Sequence, residues 1–258
     1  MTLQRGILYY QCNVCSEQCS TPMSELARER PSCRVCGSTP RFRSLVSLLS
    51  RELWGRSTPI ADFPKRLDIS GIGLSDWHVL ANALSTKFNY KNSFFHQEPR
   101  LDITQVPPDM LSRFDFIISS EVFEHVLPPV SRAFVNARRL LKPNGFLVFT
   151  VPYRPGDGET VEHYPRMHEY RVIKRGEALV IENVTATGEK ESFENPVFHG
   201  GPGAALEMRI FTENALRREF LAAGFEDVEV MKDSDYEFGV HWKEAWSRPL
   251  IARVAKRR

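Results

Sequence analysis

The residues best suited to chemistry at the start of the chain are cysteines, and all five lie within the first 36 residues. Four of them form two Cys-x2-Cys pairs, Cys12 with Cys15 and Cys33 with Cys36, separated by seventeen residues. Two pairs at this spacing are typical of a four-thiolate zinc site, which has no open position and is therefore structural. We expect a structural Zn²⁺ here. Its binding would stabilise the fold of a segment that is too short to bury a sufficient apolar core. Cys19 would remain a free thiol.

A second candidate site follows an apolar run in the stretch RLDISGIGLSDW. The acid Asp68 precedes the small residues Ser70, Gly71 and Gly73, and glycine lets a backbone approach a ligand closely. The stretch predicts a strand that leads into a ligand-binding loop. The alternative is a plain turn in a fold that binds no cofactor.

Polar residues also follow the apolar run FDFIISS, where Ser119, Ser120 and Glu121 come just before Glu124 and His125. Such a run is typical of a strand buried on both faces of a parallel sheet. A helical segment, the turn LKPNG and another buried run, FLVFTVP, come next.

The elements that must position these residues alternate between strand-like and helix-like segments from Arg66 onward. This alternation predicts an α/β fold with a doubly wound sheet, in which ligands bind at the carboxyl ends of the strands. The stretch RFRSLVSLLSRELW places apolar residues on one helical face and predicts a helix between the cysteine module and the sheet. We therefore divide the chain into a zinc-binding module (1–40), a helix and linker (41–65) and a main domain (66–258).

The strand tip EVFEH and the turn LKPNG resemble the class I S-adenosylmethionine-dependent methyltransferases, in their Rossmann-like type 11 form. The resemblance runs from Leu67 to Tyr153. It implies a sheet of seven strands, with S-adenosylmethionine lying across the ends of the first, second and fourth. The implied cofactor contacts are Asp68, Ser70, Gly71 and Gly73 under the methionine part, Gln97 or Glu98 at the ribose, Asp102 and Ile103 around the adenine, and Ser120 and Glu121 near the sulfonium.

Residues 153–210 form a long insert after the fifth strand, and its segments YRVI and ALVIENVT predict a β-hairpin around Lys174-Arg175-Gly176. The insert would lie over the carboxyl edge of the sheet, so we expect it to cover the substrate. It contains the candidate catalytic residues His163, His168 and His199, since histidine titrates near neutral pH. Glu121 is the fourth candidate, because the resemblance places it near the sulfonium and the substrate.

Charge is spread unevenly, since residues 1–66 carry ten Lys/Arg against five Asp/Glu, whereas the whole chain has a net charge of +2. The expected partner is a small or mid-sized acceptor such as a sugar or secondary metabolite, methylated by in-line displacement. One alternative is an RNA methyltransferase that uses the basic module to bind phosphates. The other is a non-catalytic binding protein, because Gly71 and Gly73 follow Asp68 at a spacing that differs from the family's and the second strand does not end in the acid that the family often uses to bind the ribose. The sequence contains no apparent membrane span or secretory signal, so we expect a cytoplasmic protein.

Overall fold

The structure is a computed structural model that describes residues 2–199, 201 and 204–255. Its first element is an antiparallel sheet of three strands, β1 (Thr2–Gln4), β2 (Ile7–Gln11) and β3 (Gln18–Pro22). Helix α1 (Pro40–Trp54) follows the two cysteine pairs. It begins after Thr39, whose hydroxyl accepts the Phe42 N–H, and it ends at Gly55 in the left-handed conformation that favours glycine.

The next elements alternate between strand and helix. They are β4 (Arg66–Leu74), α2 (His78–Ser85), β5 (Phe88–Ser93), β6 (Phe114–Ser120), α3 (Ser131–Leu140) and β7 (Leu141–Thr150).

The insert after β7 consists of short strands. They are β8 (Tyr153–Arg154), β9 (Val161–Glu162), β10 (Glu169–Arg175), β11 (Ala178–Val184), β12 (Lys190–Glu194), β13 (Phe198–His199), β14 (Ala205–Leu206) and β15 (Arg209–Thr212). Strands β10, β11 and β12 form an antiparallel sheet, and β10 turns into β11 at Gly176. Strand β15 pairs with β8 and β9, so the end of the insert returns to its beginning.

The chain ends with helix α4 (Glu213–Ala222) and the strands β16 (Asp227–Val230) and β17 (Leu250–Arg253). The central sheet has the strand order β16-β17-β7-β6-β4-β5. Strands β5, β4, β6 and β7 are parallel, and β17 is antiparallel to β7. The mostly parallel α/β sheet expected from the alternation is therefore present.

The strand count differs from the prediction, because the central sheet has six strands in the described residues rather than seven. The segment after β5 contributes only an isolated bridge between Phe94 and Arg100. This segment contains Pro99, Pro107 and Pro108, and proline has no N–H to donate to a sheet ladder.

Each face of the central sheet packs on its own apolar core. Ile117, Leu147 and Phe149 pack with α3 and α4, whereas the alternate residues Ile118 and Val148 pack with α1 and α2 on the other face. Burial on both faces explains the continuous apolar runs in the sequence. In the part of the chain that the structure describes, no helix combines the length and the apolar character needed to cross a membrane.

Candidate active site

A cavity of about 510 Å³ lies at the carboxyl ends of β4, β5 and β6. Its wall includes Leu74 and Ser75 from the end of β4, Ser93 from β5 and Glu121 just beyond β6. The chain leaves β4 toward β5 and returns on the other side of β4 to form β6, so the strand order reverses here. Open α/β sheets bind their ligands at such a reversal, and a cavity of this volume suits a small molecule.

The remaining wall is mostly apolar, with a few polar groups. The apolar side chains come from the loop after β5, the tip of β6 and the insert, and they are Phe94, Phe95, Leu101, Ile103, Val122, Val126, Leu127 and Leu206. Polar groups are contributed by His96, Asp102, Thr104 and His125. Apolar walls with a few convergent polar groups are the usual composition of a small-molecule site.

Two of the strand tips that meet at the cavity hold a non-glycine residue in the left-handed region. Ser75 has a φ of 58° and Glu121 has a φ of 57°. Such a conformation costs free energy for a residue with a side chain, and it tends to occur at functional sites. Two of the seven described non-glycine residues with a positive φ therefore lie at the edge of the sheet where a ligand would bind.

The predicted loop at Ser70–Gly73 is a strand in the structure, which is a correction to the sequence analysis. Both β5 and β6 pair with β4 as far as Leu74, so the chain turns only at Ser75. Asp68 lies near the other end of β4, is exposed and pairs with Arg66 at 2.6 Å. The Ser70 N–H donates to Asp115 at 2.8 Å.

The two glycines of β4 are required by packing between strands. A Cβ atom at Gly71 would overlap the ring of Phe116, which lies on β6. A Cβ atom at Gly73 would overlap the Tyr90 hydroxyl and the Asp76 carboxylate. Neither Gly71 nor Gly73 lines the cavity.

The other predicted cofactor residues divide into two groups. Asp102 and Ile103 line the cavity, where the Asp102 carboxylate accepts the Thr104 N–H at 2.8 Å and fixes the local turn. Gln97 and Glu98 are exposed and lie outside its wall. Phe95 and His96, which the sequence analysis did not select, occupy the wall after β5 instead.

Asp76 is a buried acid immediately beyond the cavity residue Ser75, and sequence reasoning missed it. Its carboxylate accepts the Tyr90 hydroxyl, while its N–H donates to Asn92 Oδ1 at 2.9 Å. Burial raises the pKa of Asp76 to about 7, although the Tyr90 hydrogen bond acts to lower it. This acid fixes the start of the turn after β4.

Glu121 is bound to the cysteine-containing segment 2–40, here called the N-terminal module, through Arg28, whose Nη2 lies 2.7 Å from Glu121 Oε1. Burial acts to raise the pKa of Glu121, but the charge and hydrogen bond of Arg28, the charge of Arg41 and a hydrogen bond to Thr150 together hold the pKa below its usual range. The neighbouring Ser120 does not line the cavity; its hydroxyl is bonded to Thr150 Oγ1 at 2.8 Å and to Arg41. Glu121 is therefore ionised and held in place at the cavity edge.

The structure brings two of the three predicted histidines together through an acid of the insert. The Glu207 carboxylate is bonded to His163 Nε2 at 3.0 Å and also to His199 Nε2. The His199 ring lies 5.0 Å from the ring of His125. His168 belongs elsewhere, since it borders a separate open hollow beside β10 and β11.

Glu124 lies between His125 and His199, and its side chain is fully buried. Burial first, and the charge of Glu121 second, raise the pKa of Glu124 well above its usual range. Burial likewise lowers the pKa of His125. The sequence signal for Glu124 was its position in the strand-tip motif, and the signal for Glu207 was an acid within the apolar run ALEMRIF.

The four paired cysteines lie together in the N-terminal module. Cys12 Sγ is 3.6 Å from Cys36 Sγ, and Cys15 Sγ is 3.6 Å from Cys33 Sγ. All four sulfurs lie within 4.8 Å of one another, and Cys19 is outside the group. Thiolates at about 2.3 Å from a tetrahedral zinc ion would lie about 3.8 Å apart, so the donor set fits that ion.

Comparison with known proteins gives one family match. Residues 60–230 match a family model described as a methyltransferase domain. This match covers the elements that build the cavity, from β4 to β16. Among curated proteins, no sequence matches the chain significantly.

Several solved structures are similar to the chain at low identity. An amino pentose methyltransferase from Micromonospora echinaspora, with bound S-adenosylmethionine, is 15% identical over 85% of this chain and 93% of its own, with a TM-score of 0.46. A sugar N-methyltransferase from Streptoalloteichus is 14% identical over 81% and 85%, with a TM-score of 0.45. A 1,6-didemethyltoxoflavin N1-methyltransferase from Burkholderia thailandensis is 15% identical over 82% and 77%, with a TM-score of 0.43.

Proposed function

Because the chain belongs to the methyltransferase-domain family, we propose that it transfers a methyl group from S-adenosylmethionine to a small or mid-sized acceptor such as a sugar or a secondary metabolite. The observation that carries this proposal is the cavity at the carboxyl ends of β4, β5 and β6. Its apolar wall and strained strand tips suit a ligand that combines an aromatic base with polar groups.

The wall residues have distinct roles in this proposal. Ile103 and Leu101, which line the cavity, would pack against the adenine, and Asp102 would accept a hydrogen bond from it. Phe95 and His96 would hold the ribose in place of Gln97 or Glu98. The turn at Ser75 takes the role first assigned to Asp68, Ser70, Gly71 and Gly73.

The chain's main contribution to the reaction is alignment. When bound, the cofactor supplies a methyl group on a sulfonium with a neutral leaving group. The protein holds the acceptor in line with that methyl group and excludes water. Glu121 lies at the tip of β6, and the insert covers the same edge through Leu206. His163 and His199 support the site from outside the cavity wall as partners of Glu207, and His168 takes no part.

At least three of the nine arginines in residues 1–66 are engaged within the fold, which favours a small acceptor over RNA. Arg28 pairs with Glu121, and Arg41 with Glu29. Arg43 is fully buried, and its guanidinium donates to Ser38 and Gly239 oxygens. Arginines engaged within the fold are not available to neutralise phosphates.

The N-terminal cysteines have a structural role in the proposal. Cys12, Cys15, Cys33 and Cys36 bind one Zn²⁺, which stabilises residues 1–40 as a module next to the helix and linker of 41–65. The methyltransferase domain then occupies 66–258, with 153–210 covering the substrate.

Calorimetric titration with S-adenosylhomocysteine tests the proposal. We expect micromolar binding by the unaltered protein and roughly tenfold weaker binding by Phe95→Ala, because Phe95 lines the cavity yet is 48% exposed. Trp246→Ala removes another exposed aromatic ring outside the cavity and is the matched control. Absence of binding by folded, unaltered protein would favour a non-catalytic binding protein and overturn the proposal.

A further inference from the structure

Three side chains at the tip of β6 and the insert converge on one point. His125 Nε2 lies 3.7 Å from Glu124 Oε1, and His199 Nδ1 lies 3.8 Å from the same oxygen. One ligand atom from each residue lies within 4.8 Å of the other two. Two ligands at about 2.1 Å from a tetrahedral metal ion would be about 3.4 Å apart, so the observed spacing needs little adjustment to hold one.

Both histidines have their other ring nitrogen bound to an acceptor. His125 Nδ1 donates to the Leu206 carbonyl oxygen at 2.8 Å. His199 Nε2 donates to Glu207, a carboxylate that His163 also contacts. The nitrogens that face Glu124 therefore carry the lone pairs. Metal-binding histidines are commonly oriented in this way by a carbonyl or carboxylate on the far side of the ring.

Glu124 supplies an independent indication of a ligand. Its side chain is fully buried, and neither carboxylate oxygen has a hydrogen-bond partner among the described residues. A buried carboxylate without a partner is costly, so such groups in proteins are paired or coordinate metals. Oε1 is the oxygen that faces both histidines, so an ion at the point where the three residues meet would satisfy it.

We propose that Glu124, His125 and His199 bind a divalent first-row transition metal ion, such as Zn²⁺ or Mn²⁺, at the edge of the cavity. Two imidazoles and one carboxylate suit such ions, and three protein ligands leave coordination positions open. His125 also lines the cavity, so an open position can take an oxygen atom of the acceptor. This last step rests on the proposed methyltransferase function, and it makes the acceptor a molecule with a hydroxyl or carboxylate oxygen near the methylated atom.

Glu207 and His163 are positioning residues in this arrangement. Glu207 orients His199 from behind, and the Met208 N–H next to it donates to the Glu124 carbonyl oxygen at 2.8 Å. Arg209 is fully buried and donates to the Phe123 carbonyl oxygen at 2.8 Å. The insert is thereby bonded to the backbone of the strand tip at both Phe123 and Glu124.

Metal content measured by mass spectrometry tests the proposal. Full-length protein is equilibrated with Zn²⁺ and freed of unbound metal, and Glu124→Gln and His199→Ala are each expected to hold about one ion per chain fewer than the unaltered protein. Cys33→Ser should instead lose the ion of the four-cysteine site. The double variant of Cys33→Ser and Glu124→Gln should therefore hold two ions per chain fewer than the unaltered protein. His168→Ala, a histidine of the same insert outside the cluster, should keep the full content.

The folding of every variant is checked by circular dichroism, and binding of Mn²⁺ by calorimetry repeats the comparison with a second ion. Unchanged metal content in folded Glu124→Gln and His199→Ala overturns the metal site. Titration with S-adenosylhomocysteine separates the two proposals. Metal loss in these variants with no S-adenosylhomocysteine binding by the unaltered protein would support the metal site and contradict the methyltransferase function.

Discussion

Arg28 and Glu121 form an ion pair, 2.7 Å between Nη2 and Oε1, that connects the loop between the two cysteine pairs with the tip of β6. Both side chains are largely buried, with 10% and 22% exposed. Because Glu121 lines the candidate active site, Arg28 of the N-terminal module fixes the position of a side chain in the cavity wall. The module therefore contributes to the geometry of the site.

Replacing Arg28 by methionine should lower the free energy of unfolding by about 1–3 kcal/mol, because it leaves the largely buried Glu121 charge unpaired. The double variant with Glu121→Gln should lose less than the sum of the two single losses. Urea unfolding of the four proteins measures this coupling. Arg30→Met is the control, since Arg30 pairs with Glu25 at the surface and should cost at most about 1 kcal/mol. Strict additivity would contradict the coupling.

Replacing Asp76 by asparagine should change how stability depends on pH. The pKa of Asp76 rises from 3.8 to about 7 on folding, so the folded protein binds more protons than the unfolded chain between these values. Ionising Asp76 therefore costs the native protein stability as pH rises from about 4 to 7, and that cost is constant above 7. The stability of Asp76→Asn relative to the unaltered protein should increase over this window by a few kcal/mol.

Urea unfolding at pH 4, 5.5, 7 and 8.5 provides the data for Asp76→Asn. Subtracting the free energy of unfolding of one protein from that of the other at each pH removes the contribution of other titrating groups. A difference that is constant from pH 4 to 8.5 would mean that Asp76 titrates normally.

Replacing Gly71 by alanine should destabilise the protein by about 1–3 kcal/mol without any ligand present, because the new methyl group overlaps the Phe116 ring. Thermal unfolding of the ligand-free protein measures the effect. Ser70→Ala is the control, since Ser70 is half-buried and its hydroxyl accepts only a weak bond from Asn89 at 3.3 Å. A Gly71→Ala protein of normal stability that binds S-adenosylhomocysteine poorly would restore the original assignment of a cofactor loop.

Replacing Cys33 by serine should remove the zinc of the four-cysteine site and cost about 3 kcal/mol or more. For a chain of this size the corresponding fall in Tm is roughly 6–12 °C. Zinc chelation of the Glu124→Gln variant, which lacks the second proposed ion, should have the same effect. Cys19→Ser, which changes the cysteine outside the group, should leave both Tm and zinc content unchanged.

Features that depend on local spacing could be predicted from the sequence. The four cysteines that the Cys-x2-Cys pattern selected do lie together. The run FDFIISS is strand β6, because burial on both faces of a parallel sheet demands an uninterrupted apolar segment. Asp102 and Ile103, which the family resemblance selected, do line the cavity.

Features that depend on contacts distant in sequence could not be predicted. Glycines in β4 fit either a ligand or a neighbouring ring, and only the fold reveals Phe116 opposite Gly71. His125 and His199 meet because the insert folds back onto the tip of β6, which no local pattern indicates. The burial of Asp76 likewise depends on Tyr90 from the adjacent strand.

The N-terminal module shares its core with the sheet, since Cys12, Val14 and Cys33 belong to the same buried cluster as Phe116 and Val148. A fragment that starts at residue 66 would expose this apolar face to water, and such faces promote aggregation. A search for a minimal catalytic fragment should therefore retain residues 2–65. For the same reason, the module could be transferred to another enzyme only if that enzyme had an apolar surface of complementary shape. The requirement is the same as for the two subunits of an obligate dimer, whose interface resembles a protein core.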